Sequence, residues 1–183
     1  MRIERDPEDF KIISKVARKS KVVKVTMISG NFELAGQTSF PEKLIASLSV
    51  LGEIYNLEEK SFTAKVTITF KGVRSEDDKT PKVSIVGSFI LYYSLHDANE
   101  FTEDEIKIFC EVNAVYNAWP FLREYISSVL ARLDLPQFAL PLLKLSQTKT
   151  QNIPEGQTLP KKIEKKALKG TRKKKSNSQN GKE

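Results

Sequence analysis

The segment Ser61–Val73 has the cleanest two-residue alternation of apolar and polar residues in the chain. One set of alternate positions is apolar: Phe62, Ala64, Val66, Ile68 and Phe70. The positions between them are polar: Thr63, Lys65, Thr67, Thr69 and Lys71. Because successive side chains of a strand point to opposite faces of a sheet, the segment predicts a strand with one buried and one solvated face.

Three further segments carry the β-branched and aromatic residues typical of strands, namely Lys21–Leu34, Leu44–Tyr55 and Lys82–Leu95. In the first of them the apolar positions change phase around Gly30, which predicts a β-bulge there. The links between the later strands are short and turn-like, and no long crossover helix separates them. Short links favour antiparallel neighbours, so we predict a four-stranded antiparallel sheet.

Helical patterns flank the predicted strands. Before them, Lys11–Ser20 has the spacing of a short amphipathic helix. After them, Thr102 and Glu105 have the spacing of a capping box, which marks a helix start. Pro120 is predicted to break the following helical run and to begin a second helix. The apolar stripe of that second helix is predicted to form either the core or a subunit interface: Trp119, Leu122, Ile126, Val129 and Leu133. The chain is therefore predicted to have an α+β fold, with a four-stranded antiparallel sheet followed by long helices.

Charge is distributed very unevenly along the chain. Met1–Ser146 carries 19 Lys and Arg residues against 20 Asp and Glu, whereas Gln147–Glu183 carries 11 against 3. The second segment has no aromatic residue and is interrupted by proline and glycine. Such a composition buries too little apolar surface to offset ordering entropy, so we predict a disordered basic tail. The predicted organisation is an N-terminal helical segment at 1–20, one domain at 21–146 and the tail at 147–183.

Two interpretations of the basic tail remain open. It can be a solubilising appendage, or it can contact RNA, ribosomes or acidic lipid through its Lys and Arg residues. A nucleic-acid- or ribosome-binding protein acting through this tail is therefore an alternative function. Binding of that kind would fall steeply with salt, because phosphate contacts release counterions.

The sequence offers little chemistry for catalysis, so we expect a protein that is not an enzyme and that uses no cofactor. A single histidine, His96, and a single cysteine, Cys110, exclude metal sites rich in these residues. Phosphate-binding glycine loops and the G-x-S-x-G pattern are missing from the 183 residues. Cys110 lies among apolar residues and is expected to be a buried structural thiol. Without an apolar run of membrane-spanning length or a secretory leader, a cytoplasmic protein is expected.

Apolar residues are more numerous than one small sheet and two helices can cover. Lys82–Leu95 is apolar in both phases, and Gln137–Leu145 adds a further apolar stretch. The excess predicts subunit contacts, a hydrophobic groove, or both.

Part of the second half resembles the SecB chaperone family. The segment Asn117–Ser127 (NAWPFLREYIS) is similar to that family's signature helix, in which aromatic, proline and aromatic residues precede Arg-Glu and Ile-Ser. Leu135–Pro141 (LPQFALP) is similar to the stretch that follows that helix, and Asn31-Phe32-Glu33 stands where the family carries Ser-Phe-Glu. The resemblance covers roughly Lys21 to Leu145.

The resemblance implies an ATP-independent holdase that binds unfolded polypeptides in long hydrophobic grooves and assembles as a homotetramer, a dimer of dimers. From the apolar excess we predict the groove-lining residues Leu48, Val50, Phe101, Phe109, Phe138, Leu140 and Leu142. In export chaperones of this family, an acidic pair on the first strand helps to dock the translocase ATPase SecA. Glu33 matches one member of that pair, whereas Ser29 occupies the other position. Other SecB-like chaperones serve an aggregation-prone antitoxin, so protein export and an antitoxin-dedicated role are both open.

Overall fold

The computed structural model describes residues 1–35, 45–75, 77, 80–96, 100–135 and 140–147. The predicted tail lies almost wholly outside these residues, and so does Phe138. In chain order the elements are β1 (Arg2–Arg5), α1 (Pro7–Lys19), β2 (Ser20–Leu34), β3 (Ile45–Glu58), β4 (Ser61–Val73), β5 (Val83–Leu95), α2 (Glu103–Phe109), a π-helical segment (Cys110–Ala114), α3 (Val115–Arg132) and β6 (Lys144–Gln147). Among the described residues, no helix is long and apolar enough to cross a lipid bilayer.

The predicted sheet is confirmed. Its four strands are antiparallel throughout and lie in the order β2-β5-β4-β3, so β4 and β5 are central and β2 and β3 are edges. The five apolar side chains that alternate along β4 are each at most 1% exposed. Their partners on β5 face the same way, as Phe62 opposite Tyr93 and Phe70 opposite Ile85 show. The helices cover this face, and we refer to the other face as the outer face.

The bulge predicted at Gly30 is wrong in position. Gly30 pairs directly with Gly87, and the pairing of β2 with β5 shifts instead between Val22 and Lys24 and between Met27 and Ser29. A β-carbon at Gly30 would lie 2.7 Å from the hydroxyl oxygen of Tyr125, and one at Gly87 would lie 2.5 Å from the same ring. The two glycines therefore leave room for a side chain of α3, which explains Gly30 without a bulge.

The predicted first helix is present, but it begins at Pro7, four residues before the predicted Lys11, whereas the helix start predicted at Thr102 is confirmed. The Asp6 carboxylate caps α1 by accepting a hydrogen bond from the backbone N–H of Asp9 at 2.9 Å. At α2 the Thr102 hydroxyl accepts from the backbone N–H of Glu105, and the Glu105 carboxylate accepts from the backbone N–H of Thr102. These bonds, together with the ammonium of Lys15 at 2.9 Å, lower the pKa of Glu105.

The prediction that Pro120 begins a second helix is wrong. Pro120 lies inside α3, which begins at Val115, and the change in helical geometry comes earlier, in the π-helical segment. A β-carbon at Gly52 of β3 would lie only 2.2 Å from the backbone oxygen of Cys110, the first residue of that segment. The wider π-helical turn thus lies directly against the sheet where β3 has no side chain.

A small second sheet was not expected from the sequence. Strands β1 and β6 pair in parallel, with Arg2 opposite Lys144 and Arg5 opposite Gln147. The backbone N–H of Lys144 also donates to the carbonyl of Met1 at 3.1 Å. The guanidinium of Arg5 lies 2.7 Å from the Glu111 carboxylate, which ties β1 to the π-helical segment.

We expect Gly52→Ala to destabilise the protein by about 2 kcal/mol, because the added methyl group overlaps backbone and cannot escape by a rotamer change. The free energy of unfolding from denaturant titration measures this. Ser49→Ala, an exposed site on the outer face of the same strand, is the matched control. Equal stability of the two variants would show that the helix does not contact β3 this closely.

Candidate polypeptide-binding surfaces

The edge strand β3 presents a row of partly accessible apolar residues. Leu48 lies opposite Phe70 and Val50 opposite Ile68, so both belong to the face that the helices cover. Both are only half-buried although they pack against the core. The cause is their position at the edge of the sheet. Because β3 is an edge strand, one side of its backbone is also without a pairing strand among the described residues.

The structure separates the other predicted groove residues by accessibility. Phe109 is fully buried, with its ring edge-on to Phe62 at 5.7 Å and to Tyr93 at 5.3 Å between centroids. Leu140 is also buried. Phe101 is half-buried, and the Lys15 ammonium lies 5.1 Å from its ring centroid. Phe109 and Leu140 therefore present little or no surface in the single chain, whereas Phe101 is partly accessible, as Leu48 and Val50 are.

Leu142 is the most accessible of the predicted groove residues, with 67% of its surface exposed. Its backbone is nevertheless held firmly. The indole N–H of Trp119 donates to the carbonyl of Pro141 at 3.2 Å, and Leu143 on the other side is buried. Leu142 is thus an apolar side chain displayed on a fixed backbone, lining a shallow depression with Met1, Pro141 and Lys144.

The opposite edge of the sheet carries a second apolar surface, which sequence reasoning missed. On β2, Met27, Phe32 and Leu34 face the helix side but are 39–50% exposed. Phe121 of α3 is also exposed, one turn before Tyr125, whose hydroxyl donates to the carbonyl of Val86 at 3.1 Å. We call Met27, Phe32, Leu34 and Phe121 the β2–α3 surface. In the sequence this surface corresponds to the apolar residues of β2, whose two-residue alternation changes phase at a bulge.

The predicted apolar stripe of α3 lies in the core of the single chain. Trp119, Leu122, Ile126 and Val129 are all buried, and Leu133 is half-buried. Any contact between subunits along this helix must therefore use its exposed side, where Tyr116 and Phe121 lie. Glu33 is exposed on the outer face of the sheet, opposite Ser84, with Ser29 four residues before it and opposite Ser88.

Two ionisable groups lie within the aromatic core. Burial, together with the Glu111 carboxylate, raises the pKa of the Cys110 thiol to about 12. Burial also raises the pKa of the Tyr93 hydroxyl, which accepts a hydrogen bond from the Asn117 side-chain amide at 3.1 Å. Both groups are neutral at physiological pH, which suits packing. The expectation that Cys110 is buried is confirmed.

Comparison with known proteins is informative at the level of structure. No family profile matches the sequence, and no curated protein matches it. Among solved structures, the chain is similar to the Mycobacterium tuberculosis Rv1957 SecB-like chaperone in complex with a ChAD peptide from the Rv1956 HigA1 antitoxin. The TM-score is 0.63 at 14% identity, and the match covers 74% of this chain and 99% of that one. A protein of unknown function from Streptococcus agalactiae also matches, at a TM-score of 0.38 and 14% identity, over 67% of this chain and 97% of that one.

The first of these two matches, together with the sheet topology, defines the class of fold. The chain has an α+β fold in which one four-stranded antiparallel sheet is covered by one long interrupted helix. This is the SecB-like fold, and the resemblance found in the sequence is confirmed at that level.

We expect the Cys110 thiol to be unreactive toward a thiol-exchange reagent in the native protein and fully reactive in concentrated guanidinium chloride, because the thiolate is the reacting species. The native pKa exceeds the value of about 8.5 for a free thiol. The protonated form is therefore favoured by folding, and this group opposes folding as pH rises above about 8.5. Rapid labelling of the native protein at neutral pH would contradict this burial.

Proposed function

We propose that the protein is an ATP-independent holdase, a non-enzymatic chaperone that binds unfolded or aggregation-prone polypeptides. The observation that carries the proposal is the SecB-like fold combined with apolar residues that this fold leaves uncovered at its sheet edges. A client surface made of Leu48, Val50 and Leu142 follows from their accessibility. Of the remaining predicted groove residues, Phe101 is partly accessible, Phe109 and Leu140 are buried, and Phe138 lies outside the described part of the chain.

The chemistry of this surface suits clients that share no sequence. Leu48 and Val50 offer apolar contact at a two-residue spacing, and the edge of β3 offers backbone donors and acceptors to an extended peptide. Neither kind of contact requires a particular order of side chains in the client. Many such weak contacts along one chain add to a useful affinity without any reacting group.

The proposed client class is an aggregation-prone antitoxin. Support comes from the neighbour of shared fold, which was solved with a peptide from the HigA1 antitoxin. An export role is the alternative within the same mechanism and would add docking to SecA through Glu33. Ser29 leaves that docking site with one carboxylate where the export chaperones have two. In either role the protein would act in the cytoplasm.

We further propose that the protein assembles as a homotetramer, a dimer of dimers. The β2–α3 surface supports self-association because it combines exposed Phe32 and Phe121 with a strand edge that has no pairing strand among the described residues. The β2 edge lies opposite to the β3 edge that carries Leu48 and Val50. Clients and subunits would therefore not compete for the same residues.

The holdase proposal predicts that the purified protein suppresses aggregation of a chemically denatured model client without ATP, measured by light scattering. Deletion of Gln147–Glu183 is expected to preserve this effect, because the proposed client surface lies outside the tail. A client that aggregates at the same rate with and without the protein would contradict the proposal. Loss of suppression on deletion would assign client binding to the tail.

The client surface predicts that Leu142→Asp weakens suppression several-fold, because a carboxylate replaces an apolar contact. The matched control is Leu51→Asp. Leu51 is also an exposed leucine, at 59%, but it lies on the outer face of the sheet. Both substitutions are at exposed sites, so both variants should remain folded by circular dichroism. Equal suppression by both variants would remove Leu142 from the client surface.

The assembly proposal predicts that Phe121→Asp reduces the mass measured by multi-angle light scattering while leaving the fold intact. Ile126→Asp is expected to unfold the protein instead, because it buries a charge in the core of a single chain. The same Leu51→Asp variant controls for an added surface charge. A mass unchanged by Phe121→Asp would move the subunit contact away from the β2–α3 surface.

A further inference from the structure

We infer that the outer face of the sheet holds a second site, a pocket of about 200 Å³ between Tyr55 and Tyr92 that binds the guanidinium of an arginine side chain from a partner polypeptide. This site does not rest on the proposed function. It lies on the face away from the helices, whereas Leu48 and Val50 lie on the covered face.

The strand register builds the pocket. Tyr92, Thr63 and Asn56 are direct partners across β5, β4 and β3, so the row spans about 10 Å, two inter-strand spacings. Tyr55 precedes Asn56 at an irregularity where the pairing shifts between Ile54 and Asn56. A bulge re-aims the side chain of the extra residue, and Tyr55 lines the pocket as a result.

The walls of the pocket are aromatic and accessible. Tyr55 is 63% exposed and Tyr92 is 40% exposed, while Ile90, two residues before Tyr92 on the same face of β5, is buried. One cation already lies over a wall, since the Lys24 ammonium is 5.9 Å from the Tyr92 ring centroid. Electron-rich ring faces attract planar cations, and guanidinium groups stack on such faces more readily than ammonium groups do.

The rim of the pocket supplies hydrogen-bond acceptors in fixed positions. The Glu58 carboxylate accepts from the Asn56 side-chain amide at 2.9 Å and from the Ser61 hydroxyl at 2.8 Å, one bond to each oxygen. These bonds orient the carboxylate and leave it capacity for further donors, because two carboxylate oxygens accept about four hydrogen bonds. Glu58 and Ser61 both line the pocket.

Guanidinium suits this combination of wall and rim. It carries five N–H donors and no acceptor, so it can donate to the Glu58 carboxylate while its plane stacks on tyrosine.

The test is a nuclear magnetic resonance titration of the full-length protein with three probes. These are a short peptide with one arginine in a Gly/Ser background, the same peptide with neutral citrulline, and free L-arginine. The arginine peptide is expected to shift the amides of Thr63 and Tyr92, and citrulline is expected to weaken binding at least tenfold. Equal binding of the citrulline peptide would overturn the role of charge. Equal binding of free arginine would overturn the assignment to a polypeptide.

Matched variants locate the site. Tyr55→Ala and Glu58→Gln are each expected to weaken the arginine peptide at least fivefold. Tyr116→Ala and Glu124→Gln remove an exposed tyrosine and an exposed carboxylate from α3 and are expected to leave binding unchanged. Binding unaffected by the first pair, or weakened equally by the second, would overturn the site.

Discussion

The close approach of one interrupted helix to one sheet is the constraint on which this structure depends. The approach is possible only where the sheet lacks side chains. Gly52 meets the carbonyl of Cys110, and the Gly30–Gly87 pair meets the ring of Tyr125. Between these points the alternating side chains of β4 fill the space under the helix, and the Tyr125 hydroxyl adds a hydrogen bond to the backbone of β5. The helix is thus fixed at two places along the sheet.

A single helix seated in this way cannot cover a sheet of four strands. It buries the two central strands, and the edge strands keep apolar side chains that are only partly shielded. The accessible rows on β2 and β3 are therefore a direct consequence of the fold. Strand edges with accessible apolar side chains are surfaces on which other polypeptides can pair. The proposed division assigns one edge to clients and the other to copies of the chain.

The structural features that were predicted correctly are those that a local sequence pattern determines. The alternation in Ser61–Val73 identified the central strand because both of its faces obey one rule, and Thr102 and Glu105 lie close enough in sequence for their capping box to be visible. The remaining features depend on contacts between distant segments. Gly30 led to a wrong prediction of a bulge, because the contact that explains this glycine is with Tyr125, which lies far away in the sequence.

For the candidate binding surfaces, the sequence likewise predicted only what composition and local pattern determine. The apolar excess predicted subunit contacts or a groove, but composition does not distinguish a leucine that points inward from one that points outward. Leu140 is buried and Leu142 is exposed, although only Pro141, whose carbonyl accepts from the Trp119 indole, lies between them. The parallel pair β1–β6 was missed because four-residue strands contain too few positions to show any period.

That parallel pair also sets an order of events during synthesis. Strand β1 is synthesised before every other described element, whereas its partner β6 is made only after all of them. Until then β1 has no pairing partner in the described structure, and closing so long a loop carries an entropic cost. The β1–β6 pair can therefore form only after the other described elements have been synthesised. A nascent chain truncated before Lys144 would lack this pair.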